Sequence, residues 1–128
     1  MNKRGVIEYS NVGNLLDNVP VVKTDGDEVF ESLFDKQGIK IERIVSNGQC
    51  SPDDFWYDQE QEEWVFLIKG SASLEIKDDK TPTSTRMIDL VPGSYVQIPA
   101  HLKHRVAKTD TTQQTIWLAL FFPSSKLN

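Results

Sequence analysis

Glu63 is one of two side chains in this sequence whose type and placement suit chemistry. Six residues separate it from Gly70, and the stretch between them is almost entirely apolar. Alternate side chains of a strand share a face, so Glu63 is expected to point with Val65 and Leu67 toward a core. An unpartnered carboxylate there would cost several kcal/mol, so Glu63 should be paired, bound to a metal ion or protonated. The alternative is a solvated carboxylate at the mouth of the strand.

His104 is the second such side chain. Five residues separate Gly93 from Pro99, and four more separate Pro99 from His104; the only other histidine is His101. A neutral imidazole is a good ligand for zinc, manganese or iron. The alternative is a histidine that is hydrogen-bonded within the protein and holds no metal.

The elements that must position these side chains are predicted to be short strands. Turn formers recur at regular spacing, no long helix is indicated, and such a pattern is typical of a sandwich or a closed barrel. The prediction is an all-β, antiparallel jelly-roll barrel over residues 28–128, with residues 1–27 as an N-terminal arm packing on it. The predicted strands are residues 29–34, 39–45, 55–57, 64–68, 72–77, 87–91, 95–98, 105–107 and 116–122.

Composition excludes several classes of protein. The chain has 128 residues and a net charge of −5, which argues against a nucleic-acid or anionic-membrane partner. No apolar run is long enough to span a bilayer, and the single cysteine fits a cytoplasmic protein. Six carboxylates and no basic residue lie between Asp53 and Glu63. This segment either concentrates cations at a cavity mouth or is an ordinary solvated loop.

The two segments around Glu63 and His104 resemble the paired motifs of the cupin superfamily, small antiparallel barrels that often hold a metal. The resemblance covers about residues 40–122. Its second half is the stronger, because Gly93, Pro99 and His104 are all in place. The chain is most similar to stand-alone, single-domain bacterial cupins.

The first cupin motif departs from the family pattern. It usually consists of His-x-His, three or four further residues and then the glutamate. With three intervening residues Tyr57 and Gln59 take the histidine places, and with four Trp56 and Asp58 do. A three-histidine site is therefore not available to one chain. The two-histidine iron triad would require His101 to turn inward as well.

The resemblance implies a site at the remaining positions. Its metal ligands would be Gln59, Glu63 and His104, with Asp58 as the alternative to Gln59, and Glu63 could also serve as the catalytic base. Tyr57 and Asp58 would belong to the substrate pocket. An oxygen-rich set of this kind would bind zinc, manganese or iron weakly. Whether the chain is an enzyme is left open, and the alternative is a metal-free barrel that binds or senses a small ligand.

Two predicted strands are apolar on both faces. If one face of each strand met water, Trp64, Phe66, Trp117 and Phe121 would form a patch too large for a monomer. Packing between two sheets or against a twofold partner would cover this patch, and a homodimer is expected.

Overall fold

The computed structural model describes residues 12–78, 80–81 and 83–124, which form eight strands and no helix. None of these residues therefore belongs to a helix long and apolar enough to cross a membrane. The strands are β1 (Val29–Lys36), β2 (Ile39–Ser46), β3 (Glu62–Lys69), β4 (Ala72–Lys77), β5 (Thr85–Leu90), β6 (Tyr95–Ile98), β7 (His104–Thr109) and β8 (Thr115–Phe122).

The strands form two antiparallel sheets. One has five strands in the order β1-β2-β8-β3-β6, and the other has three in the order β5-β4-β7. Their inner faces share one core, in which Leu67 and Trp117 of the larger sheet meet Leu74 and Leu90 of the smaller. The predicted all-β, antiparallel jelly roll is confirmed. Most predicted strands match an observed one, but the segment predicted at residues 55–57 contributes only an isolated bridge between Tyr57 and His104.

Antiparallel register decides which side chains of β3 and β8 face inward. Glu63 lies beside Phe121, and Leu67 lies beside Trp117, all on the inner face. Packing between the two sheets thus covers Trp117 and Phe121, one of the two arrangements expected for the strands that are apolar on both faces. Trp64 instead lies beside Leu120 on the outer face.

The segment that precedes β1 packs on the outer face of the larger sheet. The guanidinium of Arg43, from β2, donates hydrogen bonds to the carbonyl oxygens of Leu15 at 3.1 Å, Asp17 at 2.8 Å and Asn18 at 3.1 Å. Val22 is only 2% exposed. Residues 1–11 of the predicted arm lie outside the described residues.

Candidate functional site

Glu63 and His104 come from different sheets and meet inside the molecule. Glu63 lies near the start of β3, and His104 is the first residue of β7. Glu63 is 7% exposed and His104 is 4% exposed. His104 Nε2 lies 3.5 Å from Glu63 Oε1. The alternation of β3 thus turns Glu63 inward with Val65 and Leu67, as its sequence position predicts.

A backbone contact determines which nitrogen of the His104 ring carries the proton. His104 Nδ1 lies 2.8 Å from the carbonyl oxygen of Leu102, which can only accept a hydrogen bond. The neutral imidazole therefore carries its proton on Nδ1 and leaves a lone pair on Nε2. Two electron-rich atoms, His104 Nε2 and Glu63 Oε1, then face each other. A cation or a second proton between them would relieve their repulsion.

Gln59 reaches the same carboxylate. Its side-chain Nε2 donates a hydrogen bond of 2.7 Å to Glu63 Oε1. Gln59 is therefore close to both predicted ligand atoms, but it presents its amide nitrogen to them and not its oxygen. Ligation through its oxygen would require the amide to rotate by half a turn.

Tyr57 joins the site through its backbone and its ring. Its N–H donates to the carbonyl oxygen of His104 at 2.7 Å, and the N–H of His104 donates back at 3.2 Å. The two rings stack at 5.5 Å between centroids. Burial raises the pKa of the Tyr57 hydroxyl, and the negative charges of Glu28 and Glu63 raise it further. The hydroxyl therefore stays protonated near neutral pH and can donate a hydrogen bond.

Asp58 points away from the cavity that Tyr57 and Gln59 line, contrary to its predicted place in the pocket. The alternation along this extended segment turns it outward, where its Oδ1 lies 2.8 Å from Nδ1 of His101. His101 occupies the turn before β7 with a φ of 64°. Its side chain is 60% exposed. The second histidine thus lies outside the site, and a two-histidine ligand set is not formed.

Glu28 also lines the cavity, although sequence reasoning did not select it. Its Oε2 accepts a hydrogen bond of 2.8 Å from the Ser46 hydroxyl, which accepts one of 3.1 Å from the indole N–H of Trp117. Burial raises the pKa of the Glu28 carboxyl; the Ser46 hydrogen bond partly offsets this, and the nearby charge of Asp27 adds to it. The one signal in the sequence that could have identified Glu28 is its spacing. It lies two residues before Phe30, so the two side chains fall on one face of an extended chain.

The cavity between the sheets has a volume of about 90 Å³. By liquid volume this is room for about three water molecules of roughly 30 Å³ each. None of the described residues that line it is a lysine or arginine. Nor do three or more histidine, cysteine, aspartate or glutamate side chains gather as a metal cluster anywhere in the described part of the chain. The lining residues are Glu28, Phe30, Ile44, Tyr57, Gln59, Glu63, Val65, Leu74, Ile98, His104, Val106, Trp117 and Phe121.

Solved structures of similar fold identify the family. A protein from Ralstonia eutropha JMP134 called a "putative mannose-6-phosphate isomerase" is 46% identical in sequence, with a TM-score of 0.77, over 88% of this chain and 98% of that one. A cupin superfamily protein from Desulfitobacterium hafniense DCB-2 is 14% identical, with a TM-score of 0.60, over 82% of this chain and 84% of that one. The chain belongs to the cupin superfamily, as its two motifs predict.

A more distant neighbour is a cobalt(II) form of the protein HppE. It is 16% identical, with a TM-score of 0.60, over 83% of this chain and 58% of that one. At this identity the likeness concerns the fold alone. No family model matches the chain, and no curated protein matches it either.

Proposed function

We propose that the cavity binds a divalent cation between His104 and Glu63, next to a small molecule that Tyr57 contacts. The observation that carries this proposal is the 3.5 Å approach of His104 Nε2 to Glu63 Oε1, with the Nδ1 proton directed at Leu102. An imidazole nitrogen and a carboxylate oxygen suit zinc, manganese or iron(II). A bound ion of this kind would act as a Lewis acid toward an oxygen atom of the small molecule.

The donor set supports weak binding of the cation. His104 and Glu63 supply two donors, and Gln59 supplies a third only after its amide rotates. Structural metal sites usually have four protein ligands, so the remaining positions here would belong to water or to the small molecule. Affinity should also fall in acid, because a protonated His104 cannot coordinate a metal.

Glu63 has a second role in this proposal, as a base. Its carboxylate is held by the Gln59 amide and lies beside the His104 imidazole. It can therefore accept a proton from a bound molecule. The Tyr57 hydroxyl can donate a hydrogen bond to an oxygen of the same molecule. The residues thus support proton transfer, without selecting one reaction.

A metal-free binding barrel is the second candidate function. It is favoured by the orientation of Gln59, whose amide nitrogen acts as a donor to Glu63 and does not act as a metal ligand. In that case a proton shared between His104 and Glu63 takes the place of the cation. The pocket would then hold its ligand through hydrogen bonds alone.

The two candidates are separated by a titration with Mn²⁺ and Zn²⁺, read by calorimetry and by the electron paramagnetic resonance signal of free Mn²⁺. His104→Ala should reduce affinity for either ion at least tenfold, since it removes one of two direct donors. His101→Ala is the matched control, because that histidine is exposed and bonded to Asp58. It should bind like the wild type. Equal binding by wild type and His104→Ala, or none by any form, would leave only the metal-free candidate.

Isomerisation of a sugar phosphate, which the name of the Ralstonia protein suggests, finds little support in this cavity. A hexose phosphate has many more non-hydrogen atoms than a volume of about 90 Å³ accommodates. None of the described lining residues is cationic, whereas phosphate sites usually present arginine, lysine or backbone N–H groups. We therefore propose a smaller, uncharged or cationic ligand.

A further inference from the structure

We infer that Glu28, which lies outside both cupin motifs, is a second anchoring point of the cavity and selects small ligands that carry a hydroxyl or ammonium group. This inference rests on the proposed function of the cavity as a ligand site. It adds the residue that recognises the ligand and the class of ligand that is recognised.

Hydrogen bonds fix the orientation of the Glu28 carboxyl. An indole N–H can only donate, so the Trp117 indole donates to the Ser46 oxygen, and the Ser46 hydroxyl proton is directed at Glu28 Oε2. Ser46 is fully buried and Trp117 is 4% exposed. The hydrogen bonds therefore run from Trp117 to Ser46 and from Ser46 to Glu28, and they hold Glu28 Oε2 in place.

The other oxygen of the same carboxyl, Glu28 Oε1, faces no protein donor in the part of the chain that the structure describes. Among the described residues, no hydrogen bond or ion pair involves Glu28 Oε1. Glu28 itself lines the cavity. This oxygen is therefore free to accept a hydrogen bond inside the cavity, and a ligand hydroxyl or ammonium group supplies the donor.

The two acidic groups lie at different ends of the cavity. Ser46, which holds Glu28, lies beside Thr115 of β8, whereas Glu63 lies beside Phe121 at the other end of that strand. The charges of both carboxylates still act on the Tyr57 hydroxyl. A small ligand can therefore bind Glu28 at one end of the cavity without reaching the His104–Glu63 pair at the other.

The charges that line the cavity determine which ligand charge it can accept. Two carboxyl groups line the cavity, and no described lining residue carries a fixed positive charge. An anionic ligand would meet repulsion and would find no cationic partner, whereas an ammonium group gains a charge-assisted hydrogen bond. The volume of about 90 Å³ limits the enclosed part of the ligand to a few non-hydrogen atoms.

Ethanolamine and glycolate are suitable probes, since they are similar in size and opposite in charge. Binding can be followed by the indole ¹H–¹⁵N signal of Trp117, which reports on Ser46 and Glu28 directly. We expect ethanolamine to shift this signal and glycolate to leave it unchanged. Glu28→Gln should weaken ethanolamine binding about tenfold or more, as expected for loss of a hydrogen bond to a charged group.

The matched control is Asp27→Asn. It removes a neighbouring carboxylate that is exposed and does not line the cavity, so it should weaken ethanolamine binding much less than Glu28→Gln does. Glu28→Gln keeps an oxygen that can accept from Ser46, and a circular dichroism spectrum equal to that of the wild type shows that the fold of the free variant is intact. Glu28→Gln should also retain Mn²⁺ affinity, because Glu28 is not a proposed metal ligand.

Three results would overturn the inference. Equal ethanolamine binding by wild type and Glu28→Gln removes Glu28 from ligand recognition but leaves the proposed cavity function standing. Stronger binding of glycolate than of ethanolamine contradicts the ligand class. A Trp117 signal that no probe shifts refutes the anchoring role, whereas the metal site is judged separately by the His104→Ala titration.

Discussion

Glu28 and Glu63 both line the cavity, but their carboxyl groups have different hydrogen-bonding and charged partners. Glu63 Oε1 has the Gln59 amide at 2.7 Å and the His104 imidazole at 3.5 Å. Glu28 has the Ser46 hydroxyl at 2.8 Å. A hydroxyl stabilises a carboxylate less than a cationic partner would, so burial dominates and raises the pKa of Glu28.

This raised pKa predicts how Glu28 affects stability. The folded state binds the Glu28 proton more tightly than the unfolded state does. The resulting contribution is therefore fully present below the ordinary pKa of 4.5 and is lost as the pH rises through the raised pKa. The glutamine of Glu28→Gln cannot ionise. The free energy of unfolding of this variant should therefore rise relative to that of the wild type between pH 4.5 and neutrality. Urea unfolding across this range measures the difference.

The control for this prediction is again Asp27→Asn, which changes the local charge but leaves Glu28 able to titrate. Its stability curve should keep most of the wild-type dependence on pH. The other ionisable side chains of the cavity are present in all three proteins, so comparison between proteins cancels most of their effect. Parallel curves for wild type and Glu28→Gln would contradict the prediction.

At the residue scale, the sequence predicted the partners that follow from strand alternation and motif spacing. Glu63 and His104 are brought together, and Gln59, which strand alternation favoured over Asp58 as a metal ligand, lies beside Glu63. Its role as a ligand stays a prediction. Glu28 could not be found in this way. Its relation to Ser46 and Trp117 depends on the pairing of β1, β2 and β8, and no local pattern encodes that pairing.

Two glycine turns lie at the ends of strands that build the site. Gly70 follows β3, which carries Glu63, and Gly93 precedes β6, which pairs with β3. Both have positive φ values, 90° for Gly70 and 97° for Gly93. They differ in their surroundings. A Cβ at Gly70 would collide with Thr115, whose Cα would lie 2.8 Å away, whereas a Cβ at Gly93 would meet nothing within 4 Å.

Alanine substitution separates the cost of backbone conformation from the cost of crowding. Gly93→Ala should lose about 1–2 kcal/mol of stability, the cost of a left-handed backbone for a residue with a side chain. Gly70→Ala should lose a further ~1–3 kcal/mol, because β8 must shift at Thr115. Urea unfolding measures both losses. Equal losses would show that Thr115 yields freely and that the close approach is unimportant.

At the element scale, the positions of most strands followed from turn residues and alternation. The faces of β8 did not, because its residues are apolar on both sides and only register distinguishes them. The pairing of Leu67 with Trp117 and of Glu63 with Phe121 shows that Trp117 and Phe121 lie on the inner face of β8. The bridge at Tyr57 was likewise overpredicted as a strand, since its pairing is limited to His104.

At the scale of the whole molecule, the outer face of the larger sheet carries an aromatic cluster of Trp64, Phe66 and Tyr95. The ring of Trp64 lies 6.2 Å from that of Phe66 and 5.6 Å from that of Tyr95. Tyr95 is 63% exposed. Leu118 and Leu120 extend this face through their pairing with β3. An apolar face of this kind is typical of a surface that associates.

We propose that two copies of the chain associate through this cluster, as the apolar strands predict. A twofold axis would place the same patch on both sides of the contact, which suits a stack of flat aromatic rings. Trp64→Arg would bring two like charges together at the centre of such an interface. Sedimentation equilibrium should therefore report a dimer for the wild type and a monomer for this variant.

Trp56→Arg is the matched control, because Trp56 is also a partly exposed tryptophan but lies apart from the cluster, with the Lys77 ammonium 4.8 Å from its ring. It should sediment as the wild type does. Circular dichroism of both variants distinguishes dissociation from unfolding. A wild type that is monomeric at high concentration would contradict the proposal, as would a Trp64→Arg protein that folds and remains dimeric. The aromatic cluster and the cavity lie on opposite faces of β3, so the monomeric variant should retain its metal affinity. Loss of metal affinity together with loss of the dimer would show that the contact between copies helps to hold β3 and Glu63 in place.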